Sequence, residues 1–178
     1  FNGITTGVIG SSTDKIASFD ADGFTLKNGD NSNYNSGGTG VGWSFKAGTS
    51  FNNSAGANGA TIASSGSVNT TSGISIIEYT GNGVTGATIG HGLGKIPTMM
   101  IVKNLNRTSE WTVYHKDIGN THYLELNSTV AKQDYDIWHD TTPTANVFYA
   151  RGHERVNYSG DSYIAYIFTD IQGYSKFG

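Results

Sequence analysis

Two apolar runs separated by a glycine-dense connection constrain the fold of this chain more than any other feature. Residues 74–80 (ISIIEYT) and 99–102 (MMIV) are short, apolar and rich in isoleucine and valine. Short runs of this kind bounded by glycine and proline are typical of buried β-strands. The connection between them ends in GHGLGKIP, so a proline stands just before the second run. We therefore predict two buried strands joined by a turn-rich segment.

The remaining sequence favours further strands and turns. It contains 25 glycines, and 12% of its residues are aromatic. Glycine disfavours helix interiors, and aromatic side chains suit half-buried pleated surfaces. We predict an all-β chain, namely an antiparallel β-sandwich of jelly-roll or lectin-like type with an N-terminal extended arm. Further strands are predicted at 24–26, 40–46, 111–115, 122–126, 147–150 and 163–169, the last in a central position.

Several function classes are disfavoured by composition. The formal net charge is −3 and no basic cluster occurs, so we expect no nucleic-acid partner. The chain has no cysteine, which excludes disulfides and thiolate metal sites. No apolar run approaches the roughly 20 residues of a membrane helix, so no membrane insertion is expected. Because the sequence begins without Met, we interpret it as an excerpt from a longer polypeptide.

The glycine-rich motifs do not indicate a cofactor. Residues 81–86 (GNGVTG) match G-x-G-x-x-G, but no helical pattern follows, as a dinucleotide site requires. Gly94 and Lys95 lack the preceding glycine and following hydroxyl of a phosphate loop. The five histidines have no metal-ligand spacing, and His91 is expected to hydrogen-bond a turn. We predict no cofactor and no metal.

An internal similarity indicates the domain organisation. SGGTGVGWSF (residues 36–45) aligns without gaps on SGDSYIAYIF (residues 159–168). We interpret residues 1–46 as an N-terminal arm left from a preceding repeat module, 47–72 as a Gly/Ser/Asn-rich linker, and 73–178 as a complete β-sandwich module. The alternatives are a chance likeness of two strands after an SG turn, and an edge strand at 60–64.

Two segments combine the side chains of a ligand surface. Residues 134–140 mix aspartates with aromatic residues, and residues 151–157 are rich in charge. Aromatic rings stack on sugar faces, carboxylates bond sugar hydroxyls, and the arginines of 151–157 suit an acidic glycan. The candidate ligand-binding residues are Asp136, Trp138, His139, Arg151, His153 and Arg155. Two alternatives stay open: a structural loop anchored by Trp138, and glycoside hydrolysis by carboxylates among Asp134, Asp136 and Asp140.

Most of residues 75–178 resembles a known phage domain. The segments that carry the likeness are SIIEYTGNG (75–83), GHGLGKIPTMMIVKN (90–104), WTVYHKDIGNTHYLELN (111–127) and SGDSYIAYIFTDIQGYSKFG (159–178). They resemble a domain that occurs, often in tandem, in large structural proteins of tailed phages, especially marine ones. The resemblance implies a β-sandwich, a fibre that is commonly trimeric, a place on the virion surface, and host attachment. It supplies no catalytic motif.

These observations lead to one main hypothesis. The chain is expected to be a non-enzymatic structural and adhesion domain of a phage tail fibre or virion-surface protein that contacts host cell-surface glycan. Its expected partners are further copies of itself, as a homotrimer, and other virion proteins, with assembly in the host cytoplasm. The alternatives are an architectural spacer or a capsid or tail decoration module without ligand, a glycan depolymerase, and a bacterial surface adhesin.

Overall fold

The computed structural model of the chain describes residues 16–26, 45 and 48–178. Within them the structure is built from β-strands, and the one helical element is a 3-10 turn at Ala57–Gly59. The strands are β1 (Ile16–Phe19), β2 (Phe24–Leu26), β3 (Thr49–Asn53), β4 (Ser64–Asn69), β5 (Ile74–Thr80), β6 (Ala87–Gly90), β7 (Met99–Asn104), β8 (Thr112–His115), β9 (His122–Glu125), β10 (Gln133–Asp134), β11 (Val147–Ala150) and β12 (Ser162–Phe168).

The strands form two unequal layers and a separate hairpin. An eight-stranded antiparallel sheet has the order β10-β9-β8-β7-β12-β5-β4-β3, and β11 and β6 form a second antiparallel sheet. One buried core joins side chains of both sheets, including Ile77 and Val102 from the larger and Ile89 and Phe148 from the smaller. The prediction of an all-β antiparallel sandwich is therefore confirmed. The hairpin pairs β1 with β2.

The two apolar runs occupy the middle of the large sheet because their alternate side chains enter the core. In β5, Ile77 and Tyr79 are buried, whereas Glu78 and Thr80 are exposed. Strand β12 lies between β5 and β7, with Tyr166 opposite Ile76 on one side and Ile101 on the other. The central position predicted for the strand near residues 163–169 is confirmed.

The structure corrects the interpretation of 47–72 as a linker. This segment contributes β3 and β4, which extend the large sheet from β5 to its edge. Small polar residues give no alternating apolar pattern, so the sequence does not indicate strand β4. Gly66 nevertheless has a packing role in this strand. A Cβ on Gly66 would lie 2.1 Å from the carbonyl oxygen of Ile76. The alternative edge strand at 60–64 also differs from the structure, because the strand runs from Ser64 to Asn69.

The glycine connection after β5 crosses between the sheets. Residues 81–86 lead directly into β6, whose four residues are all buried. Gly83 and Gly86 have φ values of 73° and 82°, a backbone conformation that side chains with a Cβ seldom adopt. The G-x-G-x-x-G pattern thus reflects a tight turn. The aligned segment 36–45 lies outside the described residues except for Phe45, whose ring centroid is 5.6 Å from that of Phe168.

Candidate functional site

The loop of residues 151–161 joins β11 to β12. Two buried tyrosines of the core hold its backbone by hydrogen bonds. The Tyr79 hydroxyl donates a hydrogen bond to the carbonyl oxygen of Val156 at 2.7 Å. The Tyr163 hydroxyl donates to the Glu154 carbonyl at 3.0 Å and accepts from the Tyr158 amide at 2.7 Å. Buried hydroxyls that are fully bonded hold a backbone in one arrangement. The loop is therefore shaped by the core.

A second anchor fastens the same loop to residues 81–86. Asn157 is fully buried, and its Oδ1 accepts from the Asn82 amide at 2.8 Å. Its Nδ2 donates to the Val84 carbonyl at 2.9 Å. A Cβ on Gly152 would lie 2.1 Å from the Gly83 carbonyl oxygen, so the two backbones touch. This contact gives the glycines of 81–86 their role at the site.

One exposed cluster brings together three of the predicted ligand residues. Arg151 forms an ion pair with Asp136, and its guanidinium carbon lies 4.8 Å from the centre of the Tyr135 ring. The ring of Tyr135 meets that of His153 edge-on, with centroids 5.6 Å apart. Tyr135 is 40% exposed. We call Tyr135, Asp136, Arg151 and His153 the Tyr135 cluster.

The Tyr135 cluster offers several hydrogen-bonding groups beside an accessible ring. The Nδ1 of His153 accepts from the Arg155 amide at 3.2 Å, and burial lowers the pKa of the imidazole. The neutral ring then carries its proton on Nε2 and is a donor. Arg151 supplies further donors and Asp136 further acceptors. Because Arg151 and Asp136 carry opposite charges, the pair has no net charge, which favours neutral ligands over acidic ones.

Arg155 has a structural role that its sequence position did not indicate. Its guanidinium lies 2.8 Å from Glu110 Oε2 and 2.9 Å from Glu125 Oε1. It also lies 5.2 Å from the centre of the Tyr123 ring. Only 17% of the Arg155 side chain and 10% of the Glu125 side chain are exposed. Arg155 therefore ties the 151–161 loop to β9, and its role as a ligand residue stays a prediction.

Trp138 and His139 are also predicted as ligand residues, but they are not part of the Tyr135 cluster. Trp138 is fully buried, and its ring meets Tyr114 edge-on with centroids 5.8 Å apart. It cannot stack on a ligand, which agrees with the alternative of a loop anchored by Trp138. His139 is exposed and has a φ of 55°, and its ring lies against Gly86. Asp134 is one of the carboxylates considered for glycoside hydrolysis. Its side chain is 84% exposed.

Tyr135 is not among the ligand residues predicted from the sequence. It lies just after β10, where its amide donates to the Thr121 carbonyl at 3.2 Å. Arg151 is brought beside it because the Arg151 amide donates to the Ile137 carbonyl at 2.9 Å. The one signal in the sequence was the position of this tyrosine between Asp134 and Asp136.

Within the described residues, the structure shows no metal-binding cluster and no membrane-crossing helix. No group of three or more His, Asp or Glu residues there is arranged to hold a metal ion. No helix in the same part of the chain is long and apolar enough to cross a membrane.

Comparison with known proteins identifies the family. No curated protein and no solved structure matches the chain. The family model described as "Domain of unknown function (DUF7483)" matches residues 2–178. This single match includes the predicted N-terminal arm as well as the sandwich. The chain therefore belongs to the DUF7483 family of domains of unknown function.

Proposed function

We propose that this domain is a non-enzymatic adhesion module of a phage tail fibre or virion-surface protein that binds neutral cell-surface glycan through the Tyr135 cluster. The observation that carries the proposal is the exposed Tyr135 ring beside the Arg151–Asp136 pair. A sugar presents a face of C–H groups edged by hydroxyls. An aromatic ring packs on that face, and a guanidinium–carboxylate pair offers both donors and acceptors to the hydroxyls.

The rigidity of the 151–161 loop supports recognition. Tyr79, Tyr163 and Asn157 fix the loop backbone through buried hydrogen bonds. A ligand then does not have to order the loop on binding, which lowers the entropic cost. A single sugar contact of this size is weak. Repetition in a trimer raises the effective affinity, because each later contact forms at high local concentration. Resemblance to phage structural domains supports the trimer, the virion surface and the other virion proteins as its setting.

The first experiment measures binding of sugars to the isolated chain. Oligosaccharides of mannose, glucose, galactose and N-acetylglucosamine are titrated by calorimetry, with N-acetylneuraminic acid as an acidic probe. We expect a neutral probe to bind, and Tyr135→Ala to weaken it at least tenfold. The matched control is Tyr174→Ala, which removes a ring that is 71% exposed. Binding unchanged in Tyr135→Ala would contradict the proposed site.

The second experiment separates adhesion from its alternatives. Light scattering gives the mass in solution, expected at three times that of the chain. The trimer is then mixed with host cells and recovered by sedimentation. Absence of cell binding favours an architectural spacer. Release of reducing ends from host polysaccharide, lost in Asp134→Asn or Asp136→Asn, favours a depolymerase.

A further inference from the structure

We propose that the domain carries a second sugar subsite around Tyr158, so that its ligand is an oligosaccharide and not a single sugar. The inference rests on the proposed function and adds the length of the ligand. The inference comes from a second group that repeats three of the four residue types of the Tyr135 cluster, namely tyrosine, aspartate and arginine. Arg107 forms an ion pair with Asp161, and its guanidinium carbon lies 4.2 Å from the centre of the Tyr158 ring. Tyr158 is 47% exposed.

The arginine of this second group is held rigidly. The Arg107 amide donates to Asn104 Oδ1 at 3.1 Å. Its carbonyl accepts from the buried Nζ of Lys103 at 3.0 Å, and Lys103 also donates to the Ser109 carbonyl at 2.8 Å. Asp161 is nearly buried, and its hydrogen bond with Arg107 lowers the pKa of its carboxyl group. Arg107 is thus held at its backbone by Asn104 and Lys103, and at its guanidinium by Asp161, so that the guanidinium stays over the Tyr158 ring.

A cleft of about 320 Å³ is lined in part by residues close in sequence to this group, although none of the three members of the group lines it. Its lining includes Leu105, which lies just before Asn106 and Arg107 in the sequence, and Ser162, which follows Asp161. The amide of Leu105 donates to the Ser162 carbonyl at 2.9 Å, so the two walls are joined. Glu78 contributes an exposed carboxylate to the cleft, and Leu105 an apolar surface that is 45% exposed. An apolar patch with hydroxyl and carboxylate groups around it suits a sugar ring.

The two groups draw members from opposite ends of the 151–161 loop. Tyr158 and Asp161 belong to its last part, whereas Arg151 and His153 belong to its first. Glu154 lies between them in sequence and acts electrostatically on both groups. The pKa of Arg107 is raised chiefly by its hydrogen bond with Asp161, with a smaller contribution from Glu154, whereas burial lowers the pKa of His153 and Glu154 opposes that effect. A chain of sugars lying along the loop would therefore meet Tyr135 at one end and Tyr158 at the other.

The test compares short and long probes of the same sugar. Disaccharides and hexasaccharides of mannose, glucose, galactose and N-acetylglucosamine are titrated against the wild-type chain, Tyr158→Ala and Tyr135→Ala, with Tyr174→Ala as the control. Thermal melting confirms that each variant is folded. We expect the wild-type chain to bind the hexasaccharide at least tenfold more tightly than the disaccharide. Tyr158→Ala should remove that difference and leave disaccharide binding unchanged.

Each other outcome has a definite meaning. Equal affinity of the wild-type chain for both lengths, or full hexasaccharide affinity in Tyr158→Ala, overturns the second subsite while the proposed function stands. Failure of the wild-type chain to bind any probe overturns both. A loss of disaccharide binding in Tyr158→Ala places the primary contact at Tyr158 and contradicts the assignment of the two subsites.

Discussion

Tyr79 and Tyr163 stack in the core with ring centroids 5.1 Å apart and an interplanar angle of 13°, and both hydroxyls bond the backbone of the 151–161 loop. The packing of the sandwich and the shape of this loop therefore depend on the same two side chains.

Tyr163→Phe should destabilise the domain by about 1–3 kcal/mol. The variant keeps the stacked ring but leaves the Tyr158 amide and the Glu154 carbonyl without their buried partner. Urea denaturation followed by tryptophan fluorescence measures the change. Tyr174→Phe, at an exposed position, should have no effect. Equal stability of the Tyr163 variant and the wild-type chain would show that the hydroxyl does not hold the loop.

Arg155→Met and Arg151→Met should differ in their effect on stability. Arg155→Met leaves the nearly buried Glu125 carboxylate without its ion pair, at a cost of roughly 3 kcal/mol. Arg151→Met breaks a pair that is about one-third exposed, which costs less than about 1 kcal/mol. Chemical denaturation of both variants gives the comparison. Similar losses in the two would contradict the assignment of Arg155 to structure and Arg151 to ligand binding.

Gly66→Ala should destabilise the whole domain by more than about 2 kcal/mol, because a Cβ would overlap the Ile76 carbonyl of the neighbouring strand. Ser65→Ala, at the adjacent exposed position, is the matched control and should be nearly neutral. The thermal midpoint of each variant reports the effect. A neutral Gly66→Ala would mean that β4 is not an integral strand of the sheet.

Removal of residues 1–47 should leave a cooperatively folding domain, whereas removal of 1–72 should not. The longer deletion takes away β3 and β4, together with the core side chains of Ile62 and Val68. Strand β5 would then become an edge with its ladder groups unpaired. Circular dichroism during thermal unfolding distinguishes the two outcomes. A cooperative transition in the shorter chain would support 73–178 as a complete module.

Acidification should weaken the fold through His91. This side chain is fully buried, its Nε2 lies 3.2 Å from the Thr144 carbonyl, and its Nδ1 accepts from the Leu93 amide at 3.3 Å. Burial lowers the pKa of His91 to about 4 from its usual 6.5. Above pH 6.5 the ring is neutral in both the folded and unfolded states. As the pH falls toward 4, only the unfolded state gains the proton, so up to about 3 kcal/mol of stability is lost.

The measurement is the free energy of unfolding between pH 7.5 and 4. His91→Asn keeps an acceptor for the Leu93 amide but does not titrate, so its profile should be flatter than that of the wild-type chain. His122→Asn, at a partly exposed position, serves as the control. Parallel profiles for His91→Asn and the wild-type chain would exclude His91 as the source of acid sensitivity.

The sequence predicts those strands that contain apolar runs, and their bounds agree closely. Residues 74–80 and 147–150 match β5 and β11. Strand β4 escaped prediction because its side chains are mostly serine, and its place depends on backbone pairing with β5 and on the absence of a Cβ at Gly66. Strand β6 escaped because it lies within the glycine-dense connection that separates the two apolar runs.

The candidate site could be predicted only in part. Charge and aromatic content indicated the two segments, and Asp136, Arg151 and His153 do lie together. The orientation of single side chains depends on contacts between distant parts of the chain. A turn in which the His139 amide donates to the Asp136 carbonyl at 2.8 Å accompanies the burial of Trp138. Arg155 is drawn inward by Glu110 and Glu125, which no local pattern reveals.

The anchoring of the 151–161 loop has an evolutionary consequence. The groups that set its backbone are buried, namely Tyr79, Tyr163 and Asn157. Tyr135 and Tyr158 are exposed, and Arg151 is partly exposed. Outward residues can be exchanged without rebuilding the scaffold. Such a division would let a lineage alter this surface by a few substitutions while the fold is inherited intact.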